Sequence, residues 1–398
     1  MEDISTILAT LRQETENADI INALYQLEDF YERKLWHQLT TALEELYSIP
    51  DSRHHGLQKK IYTQFIEHFL LKLNAIRVTD FLLSSFQDNK TECLEKLEEF
   101  QNQIKLEIKK SARGSDDTNK LVDNNEAIVY TDLQKARFYI YLNKLDKADE
   151  VLERLEPKFE SSYETDFNAK ITAAFYLAKC QLDKLNENYN RFYANALLYL
   201  SSLEGSIPHD EQVSLCYDLC VAALLGTKIY NFGELILHDI LSVIKESEYD
   251  WLYQLVHSLN AGELSQFSQL LPTAFQKSPF LAASEAFLHQ KIVIMALLEL
   301  VSRKSTANKT LTFKEISDFT GTPIEEIEQL IIKCFALNLI QGYIDETNQI
   351  LVVTWLQPRI LNLDQVKVLY DQLTHWDNQV EKLGERVRAD GGSIWAGI

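Results

Sequence analysis

The sequence predicts a mainly α-helical chain: an array of helical repeats in the tetratricopeptide style, then a winged helix, then one long C-terminal helix. Three observations carry this. Glycine and proline are few, 12 and 7 in 398 residues, and strand-like alternation is scarce before Leu311. A pattern of apolar helix, tight polar turn and second helix recurs along the first three quarters. Near the C-terminus the apolar period changes from 3.6 to 2, and then to a strict seven-residue repeat.

The repeat pattern appears as FYERKLWHQLTTAL from Phe30, FYIYLNKLDKADEVL from Phe138, AKCQLDKLNENYNRFYANAL from Ala178, ALLGTKIYNFGELIL from Ala223 and LVHSLNAGELSQFSQLL from Leu255. Its pivots near Leu145, Tyr189, Phe232 and Leu264 are about 30 to 45 residues apart, the pitch of helical hairpins in a solenoid. No strict tetratricopeptide consensus fits, so the array is read as degenerate, each pair burying its apolar side against the next. Residues 109–125, KKSARGSDDTNKLVDNN, hold almost nothing apolar and are expected to form a polar insert. The segment 204–210, EGSIPHD, is expected to end the arm. The divisions expected are thus an arm over 1–204, a second helical part over 205–303, a winged helix over 304–358 and an assembly helix with its tail over 359–398.

Within the winged helix, 311–313 can add a short strand, and a brief helix over Glu315, Ile316 and Phe319 stops at Gly321, which tolerates the left-handed conformation of a helix end. A second helix follows, for which Thr322 can be the N-cap, Pro323 the first residue and Glu325 the capping-box acid. Ile324, Ile327, Leu330, Ile331, Cys334 and Leu337 make its apolar face. Residues 341–345 and 350–356 then read as a hairpin around Glu346-Thr347-Asn348-Gln349. In the last strand, alternation puts Ile350, Val352 and Leu356 on one face and Leu351, Val353 and Trp355 on the other. A strand apolar on both faces exceeds what its own helices need, and a wing edge can pair with a partner strand. Ile350, Leu351, Val352, Val353 and Trp355 are therefore candidate partner-binding residues. Cover of both faces by the preceding helices is the alternative.

A winged helix is most often a DNA reader, but the charges oppose that here. Residues 311–356 carry two bases, Lys314 and Lys333, against seven acids, three of them in the would-be recognition helix (Glu325, Glu326 and Glu328).

After Gln357-Pro358-Arg359 ends the sheet, a helix is expected from Leu363. Val366, Leu369, Leu373, Trp376, Val380, Leu383 and Val387 recur at alternating spacings of three and four, a narrow stripe over three heptads that suits a seam against other helices. These seven complete the candidate partner-binding set. Packing back on the chain's own domain is the alternative.

The net charge of -20, 39 basic against 59 acidic residues, argues against nucleic acid or an anionic membrane as main partner. Cys93, Cys180, Cys216, Cys220 and Cys334 are odd in number and scattered in apolar helical patterns, and read as reduced core thiols of the cytosol or nucleus. The start, MEDISTIL, lacks the positive charge of a signal peptide, and the longest apolar run, 292–298, is too short to span a bilayer. Phosphate loops, dinucleotide fingerprints, nucleophile elbows and zinc-protease pairs are absent. His54-His55 has no ligand at metal spacing, and Cys216 with Cys220 lacks a second pair. The expectation is no enzyme, no metal and no cofactor.

Helical repeats running into a winged helix and a heptad helix resemble the PCI family, named for the proteasome lid, the signalosome and a eukaryotic initiation factor. The words IYNFGELILHDIL from Ile229, YDWLYQLVHSLNAGE from Tyr249, WLQPRI from Trp355, WDNQVEKLGERV from Trp376 and GGSIW from Gly391 are similar to the lid branch of that family. The resemblance implies a non-catalytic scaffold in the cytoplasm and nucleus, a hetero-oligomer with other PCI and non-ATPase subunits of the lid, serving ubiquitin-dependent degradation. In that family winged helices associate laterally and C-terminal helices gather into a bundle. Carried onto this chain, the lateral contact falls on 350–356 and the bundle contact on 366–387. A PCI subunit of the signalosome or initiation factor is the alternative, and a winged-helix nucleic-acid binder the alternative of a different class.

Overall fold

The computed structural model describes residues 4–15, 17–87, 89–111, 122–160, 167–203, 205, 207–245, 247–304, 309–358 and 363–391. Backbone contacts divide the chain into two units, Met1–Ser206 and Ile207–Ile398.

The first unit is helical throughout its described residues. Its elements are α1 (Ile4–Gln13), α2 (Ala18–Glu32), α3 (Trp36–Ser48), α4 (Leu57–Gln64), α5 (Ala75–Ser85), α6 (Lys90–Ser111), α7 (Glu126–Tyr141), α8 (Leu145–Glu160), α9 (Ala169–Leu185) and α10 (Tyr189–Ser201). Short 3-10 turns precede and follow α4. Two apolar cores fill it. One gathers Leu8, Leu24, Leu43, Phe65 and Phe100 from α1 to α6, and the other Leu133, Leu152, Ile171 and Phe175 from α7 to α9. Phe159 of α8 stacks on Phe175 of α9 at 4.1 Å between centroids, fixing how these helices cross.

A single turn geometry builds the hairpins. Lys34, Asn143 and Glu187 have φ between 54° and 57°, and each is followed by an N–H that reaches back five residues to a carbonyl: Leu35 to Phe30, Lys144 to Tyr139 and Asn188 to Asp183, at 2.8 to 2.9 Å. This is the left-handed helix ending that satisfies the last carbonyls of the first helix, and the second helix starts one residue later. In the second unit Gly262 (φ 67°) repeats it, with Glu263 N–H on Ser258 O at 3.0 Å. The expected pivots Leu145, Tyr189 and Leu264 are the first residues of second helices, and Phe232 caps a short one. Of the polar insert, Lys109–Ser111 continue α6, Val122 is buried and Asn125 caps α7, while 112–121 lie outside the described residues.

The second unit begins with α11 (His209–Leu225), α12 (Gly233–Leu237), α13 (Asp250–Ala261), α14 (Leu264–Lys277), α15 (Pro279–Ala282) and α16 (Glu285–Arg303). The winged helix follows as β1 (Thr310–Thr312), α17 (Phe313–Thr320), α18 (Ile324–Ala336), β2 (Ile340–Asp345) and β3 (Ile350–Leu356), and α19 (Leu363–Gly391) follows it. Helix α16 packs on α13, α17 and β3, joining the helical part to the sheet. It is anchored by Lys291, fully buried, whose Nζ donates to the carbonyls of Ala223 (2.7 Å), Leu224 (3.2 Å) and Gly226 (2.7 Å) at the C-terminus of α11.

Two local expectations are corrected. The capping box belongs to α17 and not to α18: Thr312 Oγ1 accepts from Glu315 N–H, and Glu315 accepts from Thr312 N–H. Helix α18 is capped at Pro323, in extended conformation (φ -55°, ψ 144°), so Thr322 lies one residue too far out, and its carbonyl accepts from Ser317 instead. In addition, β3 is not an edge. The sheet order is β1-β3-β2, all antiparallel, which leaves β2 and the short β1 outermost.

Candidate interaction surfaces

The two faces of the sheet follow from its register. Residues opposite each other share a face, and Tyr343 pairs with Val352 and Gly342 with Val353. Between Val353 and Trp355 the ladder skips Thr354, since Gln341 pairs with Trp355 and Ile340 with Leu356. This bulge is tight. A Cβ on Gly342 would stand 2.0 Å from Val352 O, so only glycine fits.

The extra residue reverses the alternation beyond it, which corrects the sequence-based assignment of faces. Trp355 joins Ile350, Val352 and Tyr343 on the outer face, and Leu356 turns inward opposite Ile340. Leu351 and Val353 are buried inside, at 0% and 5% exposure. The outer face stays open, with Tyr343 at 59% and Trp355 at 39% exposure and Ile350 and Val352 half-buried. Of the five sheet candidates, Ile350, Val352 and Trp355 thus come together on one apolar face, whereas Leu351 and Val353 serve the inner core. Tyr343 was missed: it lies in the hairpin's other strand, and only cross-strand register sets it beside Trp355.

Helix α18 presents acid where a DNA reader presents base. Glu325, Glu326 and Glu328 are exposed on it, with Ile324 and Ile332 also exposed. Its one lysine, Lys333, is near its last turn and contacts Gln290. At the start of α17 the Glu315 carboxyl is held below its usual value by the Thr312 N–H first and by Lys304 next.

Helix α19 runs for 29 residues, and every seam candidate on it is exposed: Val366 46%, Leu369 44%, Leu373 57%, Trp376 63%, Val380 46%, Leu383 61% and Val387 47%. Tyr370 beside them is 67% exposed. Of the tail, residues 392–398 lie outside the described residues.

Little here suits nucleophilic or metal chemistry. All five cysteines are buried thiols, and burial pushes Cys93 and Cys334 up to about 12, so they stay protonated at neutral pH. Among the described residues no group of three or more His, Cys, Asp or Glu side chains could hold a metal ion, and no helix is long and apolar enough to cross a membrane.

Paired helices feeding a winged helix with an acidic recognition helix, an open apolar sheet face and a bare heptad seam define a PCI-type protein-binding scaffold. Comparison with known families agrees: the PSD13 N-terminal repeats match residues 23–256 and the PCI domain matches 266–355. The chain is 38% identical to the 26S proteasome regulatory subunit RPN9 of Saccharomyces cerevisiae, over 99% of this chain and 98% of that protein. It is 31% identical to the 26S proteasome non-ATPase regulatory subunit 13 homolog B of Arabidopsis thaliana, over 89% and 90%. The COP9 signalosome complex subunit 7 of Dictyostelium discoideum is similar over only 40% of this chain, at 24% identity. The chain belongs to the PSD13 family of PCI-domain proteins, of which the RPN9 subunit is the fungal form.

Proposed function

We propose that this chain is a non-catalytic scaffold subunit of the regulatory particle lid of the 26S proteasome, acting in ubiquitin-dependent degradation in the cytoplasm and nucleus. It enters the lid through two surfaces. The outer face of the sheet, carrying Ile350, Val352, Trp355 and Tyr343 beside the open edge of β2, receives the winged helix of a neighbouring PCI subunit. The seam from Val366 to Val387 joins a bundle with the C-terminal helices of other lid subunits. In this reading residues 1–204 are a helical arm, 205–303 and 304–358 the two parts of the PCI domain, and 359–398 the assembly element.

The observation that carries the proposal is the exposure of all seven seam residues, each between 44% and 63%. A seven-residue apolar stripe open to water is a coiled-coil or bundle face without its partner, and an aromatic-bearing stripe of this length marks an interface and not a solvated helix. The long identity with proteasome regulatory subunits, set against a partial likeness to a signalosome subunit, supports the proteasome as the assembly.

The test is affinity purification of the tagged full chain with mass spectrometry. Co-purifying proteasome lid subunits support the reading, and signalosome or initiation-factor subunits in their place overturn it. Titration with duplex DNA at physiological salt checks the polarity of the winged helix: submicromolar binding with a steep salt slope would contradict a protein-binding surface.

A further inference from the structure

In the first unit, α6, α7 and α8 bring three cations around one acid and the glutamine bonded to it. Asp132, itself buried, accepts from Gln101 Nε2 at 2.7 Å, from Lys135 Nζ at 2.8 Å and from Arg154 Nη2 at 2.9 Å. Gln101, also buried, turns its Oε1 to Lys135 at 2.8 Å and to Lys105 at 3.1 Å. Two ammonium groups thus share a single uncharged oxygen, and their nitrogens lie no further apart than those two hydrogen bonds laid end to end. Lys105, Lys135 and Arg154, with Lys158 beside them, carry four positive charges against the two carboxylates of Asp132 and Asp123, an excess of two in a chain whose net charge is -20.

Like charges this close repel, which adds to the effect of burial on Lys105. Its ammonium is pulled below its ordinary value, by burial first, with Lys135 and Arg154 adding to the effect against Asp132 and Asp123. The neighbouring Lys158 is turned to the backbone carbonyl of Asp123. Glu98 on α6 accepts from Tyr139. The cluster is open to solvent: the Arg154 side chain is 62% exposed and Lys105 is half-buried, while Lys135 at 12% forms the floor.

We propose that Lys105, Lys135 and Arg154 form a binding site for a phosphate dianion. The excess of two charges matches a phosphate or phosphomonoester, which carries close to two negative charges at neutral pH. Arg154 supplies the planar fork that suits phosphate oxygens, and the two lysines supply point charges. Gln101 and Asp132, joined by the hydrogen bond that Gln101 Nε2 donates to the carboxylate, fix the cations in place before the anion arrives, so little side-chain freedom is lost on binding. The phosphate comes either free in solution or on a phosphorylated side chain of another protein, two sources with the same chemistry at this site.

The test is calorimetric titration of the full chain with inorganic phosphate, pyrophosphate, a phosphoserine peptide and the same peptide unphosphorylated, with potassium chloride at matched ionic strength as control. The wild type is expected to bind at least one phosphate-bearing probe. Binding of phosphate or pyrophosphate assigns the free anion, and binding of the phosphopeptide alone assigns a protein segment. Arg154→Gln and Lys105→Gln should each weaken binding tenfold or more while the melting temperature without anion stays that of the wild type. Lys59→Gln, which removes a cation paired with Glu92 elsewhere on the unit, should leave binding intact. Heats no larger than those of chloride for every probe, or undiminished affinity in both cluster variants, would overturn the proposal.

Discussion

Replacing Lys291 with Met tests how α16, the helix that joins the helical part of the second unit to its winged helix, is anchored to α11. The side chain is fully buried, and its Nζ is the donor for three carbonyl oxygens at the end of α11, with the rings of Tyr230, Phe232 and Phe287 at 5.4 to 5.6 Å. Methionine fills nearly the same volume but donates nothing, so the substitution isolates the polar contribution. Each buried acceptor left without a donor costs about 1 to 3 kcal/mol, and relief from hiding an ammonium offsets part of the sum. We expect a net loss of about 2 to 4 kcal/mol, which for a unit of this size lowers the melting temperature by roughly 5 to 12 °C. Calorimetry of the full chain reads it directly. A Met variant as stable as the wild type, or more so, would refute the claim that this lysine ties α16 to α11. The pH dependence adds a second check. Burial pulls the ammonium from 10.5 down to about 7. Below that pH the lysine is charged in both states. Between about 7 and 10.5 the unfolded chain holds a proton that the folded chain has released, so stability rises with pH by up to about 1.4 kcal/mol per unit. The advantage of the wild type over Lys291→Met should therefore grow from pH 7 to pH 9, and a flat difference would refute the burial argument.

Three further outcomes are expected. Leu373→Asp, at a residue 57% exposed in the chain, should leave the melting temperature nearly unchanged while removing roughly 1.5 to 3 kcal/mol of apolar burial from the assembled state, so incorporation into proteasomes falls tenfold or more; a destabilised chain that assembles normally would place α19 in its own core. Gly342→Ala must push β2 away from Val352 O and should cost about 1 to 3 kcal/mol in urea unfolding, and an unchanged midpoint would contradict the tight bulge. Glu315 has a folded-state pKa below its unfolded value of 4.5, so its contribution is present above that pH and is lost as pH falls through the folded value; the stability difference between wild type and Glu315→Gln should be full at pH 7 and shrink as pH falls below 4.5, and a difference that stays constant into acid would rule out the charged capping box.

Much of this protein was legible in local periodicity. Leu145, Tyr189 and Leu264 open second helices because the polar turn before each one admits a left-handed residue, a property of a few neighbouring side chains. The winged-helix order and the stripe from Val366 to Val387 were legible for the same reason, since a 3.6, 2 or 3.5 period is written within one segment. The charge balance of α18 needs no structure at all.

What the tertiary structure alone decided involves residues far apart. Alternation along β3 grouped Trp355 with Leu351 and Val353, and Leu356 with Ile350 and Val352, but the bulge at Thr354 exchanges the two, and a bulge exists only where two strands are paired and one has a residue to spare. Whether β3 was edge or centre rested on β1, its paired residues 38 to 42 positions upstream, pairing with it. Lys291 meets carbonyls 65 to 68 positions earlier, and Lys105, Lys135 and Arg154 converge from three helices. Repeats along one segment are read from spacing, whereas a buried cation finds its acceptors, and a strand its faces, only after the chain has folded and distant groups compete for the same space.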